Sequence, residues 1–368
     1  MELIHSSREE LLEKLQLVSN IVERKNTMQI LANIWIQKKG LELTFLSSDI
    51  EIQISTQAYL GSQHQNFSTT VSARKFLDLL KSLPEQAHVV VTQEGQKLTL
   101  ATNKSRFVLQ TMPAEDFPLV KEPNEWSSKI ELPQKILKHL LTSVSFSMAQ
   151  QDLRYFLNGV LFVVDQTHVR AVATDSHRLA YADTQTPGTE GYHEIILPRK
   201  TVFELSRLLS DTDDLVSIEL AVNQAKFSFG SVKMVTKLVE GKFPDYKRVV
   251  SVSHEYQVII QREVLQKALQ RASILTSDKF RGIRWLLDSN RLTIIANNSD
   301  QEEAKEEIEL SYTGPRIDVG FNLNYLLDVL NAVKSENIQI SLQDSNSSVL
   351  VTLPEKDSFR YVVMPMRI

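Results

Sequence analysis

The chain has no cysteine among its 368 residues, only 11 glycines and 11 prolines, and no long apolar run. Without cysteine there is no disulfide scaffold, no thiolate metal site and no cysteine nucleophile, and a reducing compartment suits such a chain. No stretch approaches the roughly 18 apolar residues of a membrane-spanning helix. The start, Met1–His5, lacks the basic-then-apolar order of a signal peptide, so a cytoplasmic location is expected. No Gly-x-x-x-x-Gly-Lys-Ser/Thr phosphate loop occurs, and Gly188 with Gly191 reads as a turn. No Gly-x-Ser-x-Gly elbow is present either. The eight histidines are scattered without His-x-x-x-His spacing, so neither a metal nor a cofactor is expected.

Present instead is an ordinary globular composition, 42% hydrophobic and 23% charged. The length suits two or three domains. With 45 acidic against 41 basic residues, the net charge of −4 counts, taken whole, against a nucleic-acid binder.

The chain repeats itself. Three amphipathic helical stretches, 9–21, 133–145 and 261–275, align on Leu12, Leu137 and Leu265, which lie 125 and 128 residues apart. A second helical set, 73–83, 198–209 and 322–333, aligns on Arg74, Arg199 and Asn324, 125 residues apart both times. Three β-branched strand-like runs separate the helices of each pair: 34–36, 41–46 and 50–55; 160–164, 169–174 and 179–182; 283–287, 291–296 and 306–310. Alternating runs follow the second helix, at 88–92 and 97–101, 216–220 and 226–229, and 338–342 and 349–353. Each unit closes on an apolar stretch with a proline: 109–117, 237–245 and 361–367. This predicts three sister α+β domains, residues 1–126, 127–254 and 255–368.

Charge is not spread evenly over this pattern. The helical stretches with their flanks carry 16 Lys and Arg against 8 Asp and Glu, whereas the remainder carries 25 against 37. The helices are thus +8 and the rest −12. If helices lie on one side of their sheets, as in layered α+β domains, one face attracts phosphates while the other discourages non-specific contact. Lysine and arginine are also good helix formers on solvated faces, but glutamate is equally good.

Candidates for catalysis are weak. Thr174-Asp-Ser-His-Arg178 holds a Ser/His/Asp set, yet neighbours in sequence rarely achieve relay geometry, and polar residues at a strand end usually hydrogen-bond locally. Glu302-Glu303 and Glu306-Glu307 lie in an acidic run that suits a solvated or interface role. Two segments attract a binding reading. The apolar C-terminus Tyr361–Ile368 suits a buried edge strand, or a peptide-accepting groove because methionine is adaptable. Arg154-Tyr-Phe-Leu157, behind Gln150-Gln151, suits stacking on nucleotides or the start of a core strand.

Met148-Ala-Gln-Gln-Asp-Leu-Arg-Tyr-Phe-Leu-Asn-Gly159, Ala173-Thr-Asp-Ser-His-Arg-Leu179, Gly241-Lys-Phe-Pro-Asp-Tyr246, Lys279-Phe-Arg-Gly-Ile-Arg284 and Val363-Met-Pro-Met-Arg367 resemble, in this order, the beta sliding clamps of bacterial DNA polymerase III. The resemblance runs end to end. It implies a head-to-tail homodimer whose six domains close a ring, with helices lining a hole for duplex DNA and antiparallel sheets outside. It also implies no chemistry of its own and no membrane contact. The implied partners are the polymerase III alpha subunit, the clamp loader, and other polymerases and repair proteins that dock through short peptides.

Residue by residue, the resemblance implies a DNA-facing set of Lys25, Arg74, Gln150, Gln151, Tyr155, Phe156, Arg199 and Lys200. The groove between the central and C-terminal domains would use Leu157, Thr174, Ser176, His177, Arg178, Leu179, Pro244, Arg248, Val249, Asn322, Tyr325, Ser348, Val362, Val363, Met364, Pro365 and Met366. The ring joint would set Lys75, Arg106 and Phe107 of one chain against Ile274, Leu275, Glu302, Glu303 and Glu306 of the other. Ser176 stands where the family usually has glycine, Phe156 where it has a second tyrosine, and Gln150 where histidine can occur. Two alternatives remain at this stage: an enzyme of nucleic-acid metabolism using Asp175 and His177, and a scaffold that binds peptides but not DNA.

Overall fold

A computed structural model of the chain describes residues 2–22, 28–60, 66–186, 191–277, 281–354 and 356–367. Lys25, Gly188 and the Lys279-Phe280 pair lie outside them.

Among the described residues each repeat has eight strands and two long helices in one order. The first comprises β1 (Glu2–Ser7), α1 (Arg8–Ser19), β2 (Asn33–Lys39), β3 (Glu42–Ser48), β4 (Ile52–Ala58), β5 (Phe67–Ser72), α2 (Ala73–Ser82), β6 (His88–Glu94), β7 (Lys97–Ala101) and β8 (Arg106–Met112). The second comprises β9 (Ser128–Pro133), α3 (Gln134–Val144), β10 (Gly159–Val164), β11 (His168–Thr174), β12 (Arg178–Gln185), β13 (His193–Pro198), α4 (Arg199–Leu208), β14 (Leu215–Leu220), β15 (Gln224–Phe229) and β16 (Val232–Lys237). A five-residue helix, α5 (Tyr246–Val250), follows it. The third comprises β17 (Tyr256–Gln261), α6 (Arg262–Ala272), β18 (Gly282–Asp288), β19 (Arg291–Asn297), β20 (Glu303–Glu309), β21 (Ile317–Asn322), α7 (Leu323–Ala332), β22 (Asn337–Leu342), β23 (Val349–Leu353) and β24 (Lys356–Val363).

The long helices form where apolar residues recur on one face, and in α1, α2 and α7 a polar side chain closes the first turn. In α6 Leu265, Ala268, Leu269 and Ala272 are buried, one stripe of a 3.6-residue helix. Ser7 starts α1 with a capping box: its hydroxyl accepts from the Glu10 N–H, while Glu10 reaches back to the Ser7 N–H. The Ser72 hydroxyl accepts from the Lys75 N–H at the head of α2.

Strand pairing explains how the repeats are joined. A twelve-stranded sheet runs β1-β6-β7-β8-β5-β2-β3-β4-β16-β15-β14-β9, so β4 of the first repeat pairs antiparallel with β16, which closes the second. An eight-stranded sheet runs β13-β10-β11-β12-β24-β23-β22-β17, so β12 of the second pairs antiparallel with β24, which closes the third. The remaining sheet, β20-β19-β18-β21, leaves β20 at its edge. Because sheets cross the repeat boundaries, compact packing does not follow them. One unit is Met1–Lys135 with Arg207–Leu238; the other is Ile136–Ser206 with Val239–Ile368.

In the first unit Ile30, Trp35, Leu46, Ala114 and Phe117 form one buried cluster. In the second, Leu161, Val163, Val172, Leu179, Ile196, Phe243, Tyr246, Val250 and Val362 form another. Each such side chain contributes about 1.5–3 kcal/mol when fully buried. Gly159 opens β10 because a Cβ there would stand 2.3 Å from the Leu197 carbonyl oxygen of β13.

Candidate functional site

Within the second unit the β11–β12 turn, the start of α5 and the chain's last residues enclose a cavity of about 270 Å³. The turn is held by its own polar groups. The Asp175 carboxylate accepts the backbone N–H groups of His177 and Arg178, both at 3.0 Å, and the Thr174 hydroxyl donates to the Arg178 carbonyl at 2.6 Å. This leaves Ser176 with φ +73°. Asp175 is therefore spent on the turn and on Arg178, whose Nε donates to it at 3.0 Å. The His177 ring makes no hydrogen bond with any described residue. A Ser/His/Asp relay is absent here among the described residues.

The tail comes next. β24 ends at Val363, the Met364 N–H donates to the His177 carbonyl at 2.9 Å, and the Met366 N–H donates to the Gly320 carbonyl at 2.8 Å. The last residues thus bridge the β11–β12 turn and the outer strand β21. This is why an apolar chain end remains at the surface: Met364 is 43% exposed and lines the cavity.

Arg178 underlies the rim. Its Nη1 donates to Asp328 of α7 at 2.5 Å and its Nη2 to the Phe146 carbonyl at 2.6 Å. Its guanidinium lies 4.4 Å from the Tyr325 ring centre and 5.6 Å from that of Phe146. Burial works against its charge, yet Tyr361, Asp328 and Asp175 outweigh it, so its pKa lies above the ordinary arginine value. Below it the fully buried Tyr361 donates its hydroxyl to the Tyr325 carbonyl at 2.9 Å, and burial drives that phenol's pKa well up.

Of the groove residues expected from sequence, Leu157, Thr174, Ser176, Arg178, Leu179, Pro244, Val249, Val362 and Met364 line this cavity. The others lie around it in different roles or outside its wall. His177 supplies its carbonyl to the tail. Arg248 is exposed and paired with Asp245 at 2.9 Å. Asn322 caps α7, and Tyr325 packs on Arg178. The Ser348 carbonyl meets the His254 ring at 2.6 Å, and Val363 is fully buried in β24. Pro365 and Met366 are half-buried beside β21. Sequence reasoning missed Arg154, Phe156, Asp245 and Tyr246 as cavity residues.

The three family models that match cover residues 1–121, 131–245 and 247–367 and describe the N-terminal, central and C-terminal domains of the DNA polymerase III beta subunit. The chain belongs to the DNA polymerase III beta subunit family. It is 42% identical over 362 residues to the beta sliding clamp of Pseudomonas putida and 40% identical over 363 residues to that of Escherichia coli, covering 98% of each chain in both cases. A crystal structure of the Pseudomonas aeruginosa sliding clamp with a ligand superposes over the full length of both chains, with TM-score 0.95 and 40% identity. A second from that organism, bound to griselimycin, does so with TM-score 0.95 and 41% identity. The three-domain clamp fold that the sequence resemblance implied is thus the fold observed.

Of the DNA-facing positions that membership in the beta subunit family suggests, Arg74 is exposed in the first turn of α2, 3.4 Å from Asp78. Gln150, Gln151 and Tyr155 are exposed, Gln151 with φ +56° and Tyr155 at 70%. Lys200 is half-buried. Arg199 is less free than a phosphate contact suggests. Its Nη1 donates to the Met148 carbonyl at 3.1 Å, and its guanidinium lies 4.9 Å from the Phe203 ring centre. Burial, then the neighbouring Arg178 charge, lowers its pKa. Phe156 departs from expectation: it packs against the buried cluster and lines the groove cavity instead of facing outward.

At the expected ring joint, Lys75 and Arg106 are exposed and Phe107 is half-buried. Ile274 is 77% exposed in a 3-10 turn after α6, with Leu275 half-buried beside it. Glu302 and Glu303 are exposed. Glu306 is already engaged within its own chain, accepting from Arg271 at 2.8 and 2.5 Å.

Proposed function

We propose that this chain works as a DNA sliding clamp: a dimeric ring around duplex DNA that tethers the replicative polymerase and performs no chemistry itself. One observation carries the ring. At both internal junctions the fourth strand of one repeat pairs antiparallel with the closing strand of the next, β4 with β16 and β12 with β24. The third repeat's fourth strand, β20, is left at a sheet edge. The first repeat's closing strand, β8, pairs with β5 only at Met112 and Thr111, so its Arg106–Gln110 stretch is open on that side. A second copy supplies what each edge lacks, and a head-to-tail joint whose rotation closes gives a ring. Glu303, Glu306, Glu307 and Glu309 on β20 suit Arg106 on the open stretch of β8 and the exposed Lys75 of α2.

The domains meet near residues 126 and 254, and basic helices face the DNA. Contacts to phosphate alone tolerate every sequence, so the ring slides. The polymerase III alpha subunit, the clamp loader, and other polymerases and repair proteins dock extended peptides in the groove, in the cytoplasm. No described helix is long and apolar enough to cross a membrane.

Two measurements test this. Sedimentation should give a dimer that Ile274→Asp splits into monomers. Once loaded by a clamp loader, the protein should stay on nicked circular DNA and escape when the circle is cut. Equal loss from both forms, or a monomer at micromolar concentration, refutes the ring.

A further inference from the structure

Ser176 holds a backbone conformation in which a Cβ is crowded and glycine is the usual occupant, at φ +73°. Its hydroxyl has two partners. It donates to the Asp175 carbonyl at 2.5 Å and accepts from Arg154 Nη2 at 3.0 Å. From its other side Arg154 is gripped by Asp152, with Nε to Oδ1 at 3.0 Å and Nη2 to Oδ2 at 2.8 Å. Asp152 is anchored in turn: its N–H donates to the Asn158 side chain at 3.0 Å, and its carboxylate accepts the Arg154 N–H at 2.8 Å. Three of the five guanidinium N–H groups are thus used, and the two on Nη1 have no acceptor among the described residues. Arg154 and Ser176 both line the groove cavity.

We infer that Ser176 is a positioning residue of the groove, holding Arg154 so that its Nη1 edge is offered to a carbonyl oxygen of an extended peptide. The inference rests on the groove reading above. A strained residue persists only where its surroundings hold it, and such residues gather at binding sites. Here the serine costs the turn backbone freedom and supplies the hydroxyl that immobilises a long side chain before the peptide arrives. That preorganisation raises affinity. The acceptor is neutral because Asp152 already balances the arginine, and a peptide carboxylate would meet its repulsion. The hydrogen bonds of Arg154 hold the Asp152 carboxyl at a pKa of about 2, so it stays ionised at neutral pH. Elsewhere the wall is largely apolar, with Phe156, Leu157, Leu179, Val249 and Val362, so one fixed donor sets the direction of the chain laid in it.

The test uses the full-length protein, with purified polymerase III alpha subunit and griselimycin as probes. Ser176→Gly should keep or raise the Tm, since it relieves the backbone, yet weaken alpha-subunit binding about fivefold to tenfold. Ser176→Ala should weaken it equally. In an Arg154→Ala background, Ser176→Ala should add less than about a twofold loss, since the serine acts through the arginine. Binding by both serine variants within about twofold of wild type overturns the inference, as does a full serine effect without Arg154. If the unaltered protein binds neither probe, the groove reading fails and this inference fails with it.

Discussion

Arg178 Nη1 and Asp328 Oδ2 lie 2.5 Å apart, joining the β11–β12 hairpin of the second repeat to α7 of the third. The arginine side chain is only 10% exposed, so its charge depends on Asp175 and Asp328. A buried pair that loses one member leaves the other uncompensated, which commonly costs about 3–5 kcal/mol. Arg178→Ala should therefore destabilise the second unit by about 3 kcal/mol and abolish partner binding. Asp328→Asn, at a carboxylate 39% exposed, should cost about 1 kcal/mol. Denaturant unfolding followed by fluorescence checks both, and equal midpoints for wild type and Arg178→Ala would exclude this role.

Tyr155 and Phe156, adjacent in sequence, should separate in function. Phe156→Ala should weaken alpha-subunit binding about tenfold while leaving retention on circular DNA unchanged. Tyr155→Ala should leave partner binding intact and shorten retention. Surface-immobilised alpha subunit and loaded DNA circles provide the two readouts, and a DNA defect in Phe156→Ala with normal partner binding would reverse the assignment.

Truncation after Val363 should abolish binding of the polymerase III alpha subunit at the proposed groove. It removes Met364 from the cavity wall and both hydrogen bonds of the tail, to His177 and Gly320. The β12–β24 pairing ends at Val363, so the fold and the dimer should survive. Calorimetry against purified alpha subunit, with sedimentation of the same sample, decides the matter; unchanged affinity counts against the tail.

Asp165 offers a pH test. Its carboxylate accepts from the Thr167 N–H, Arg170 and the His168 N–H, which hold its pKa far below the ordinary value. A carboxyl whose folded pKa is depressed contributes stability that is fully present above its unfolded value, about 3.9, and is lost as pH falls below that toward the folded value. Asp165→Asn should thus cost on the order of 1–2 kcal/mol at pH 7, and that difference should shrink progressively as pH falls below about 3.9. Urea midpoints across that range give the answer, and a pH-independent difference would show that the charge is immaterial.

The six long helices were legible because a buried stripe recurs every three to four residues, and their ends lie within three residues of the expected spans. The strands that precede helices were not. β5 reads Phe-Ser-Thr-Thr-Val-Ser, six residues with little apolar alternation, and it is recognisable as a strand only through its pairing with β2. The groove was legible in part through its sequence motifs, but Phe156 was placed on the wrong surface. Tyr155–Leu157 form one 3-10 turn, in which successive side chains diverge by about 120°. Tyr155 therefore faces solvent, while Phe156 and the buried Leu157 both line the cavity.

By itself the sequence determined the threefold repeat, the basic helices against an acidic remainder, and the absence of any thiol chemistry, since periodicity and composition are local properties. Tertiary structure alone decided which edges pair across repeats, that a glutamate expected at the joint is bound to Arg271, and that Arg154 belongs to the groove. Those outcomes depend on hydrogen bonds between residues far apart in the chain, such as Arg154 with Ser176 across 22 positions, and no local pattern encodes them.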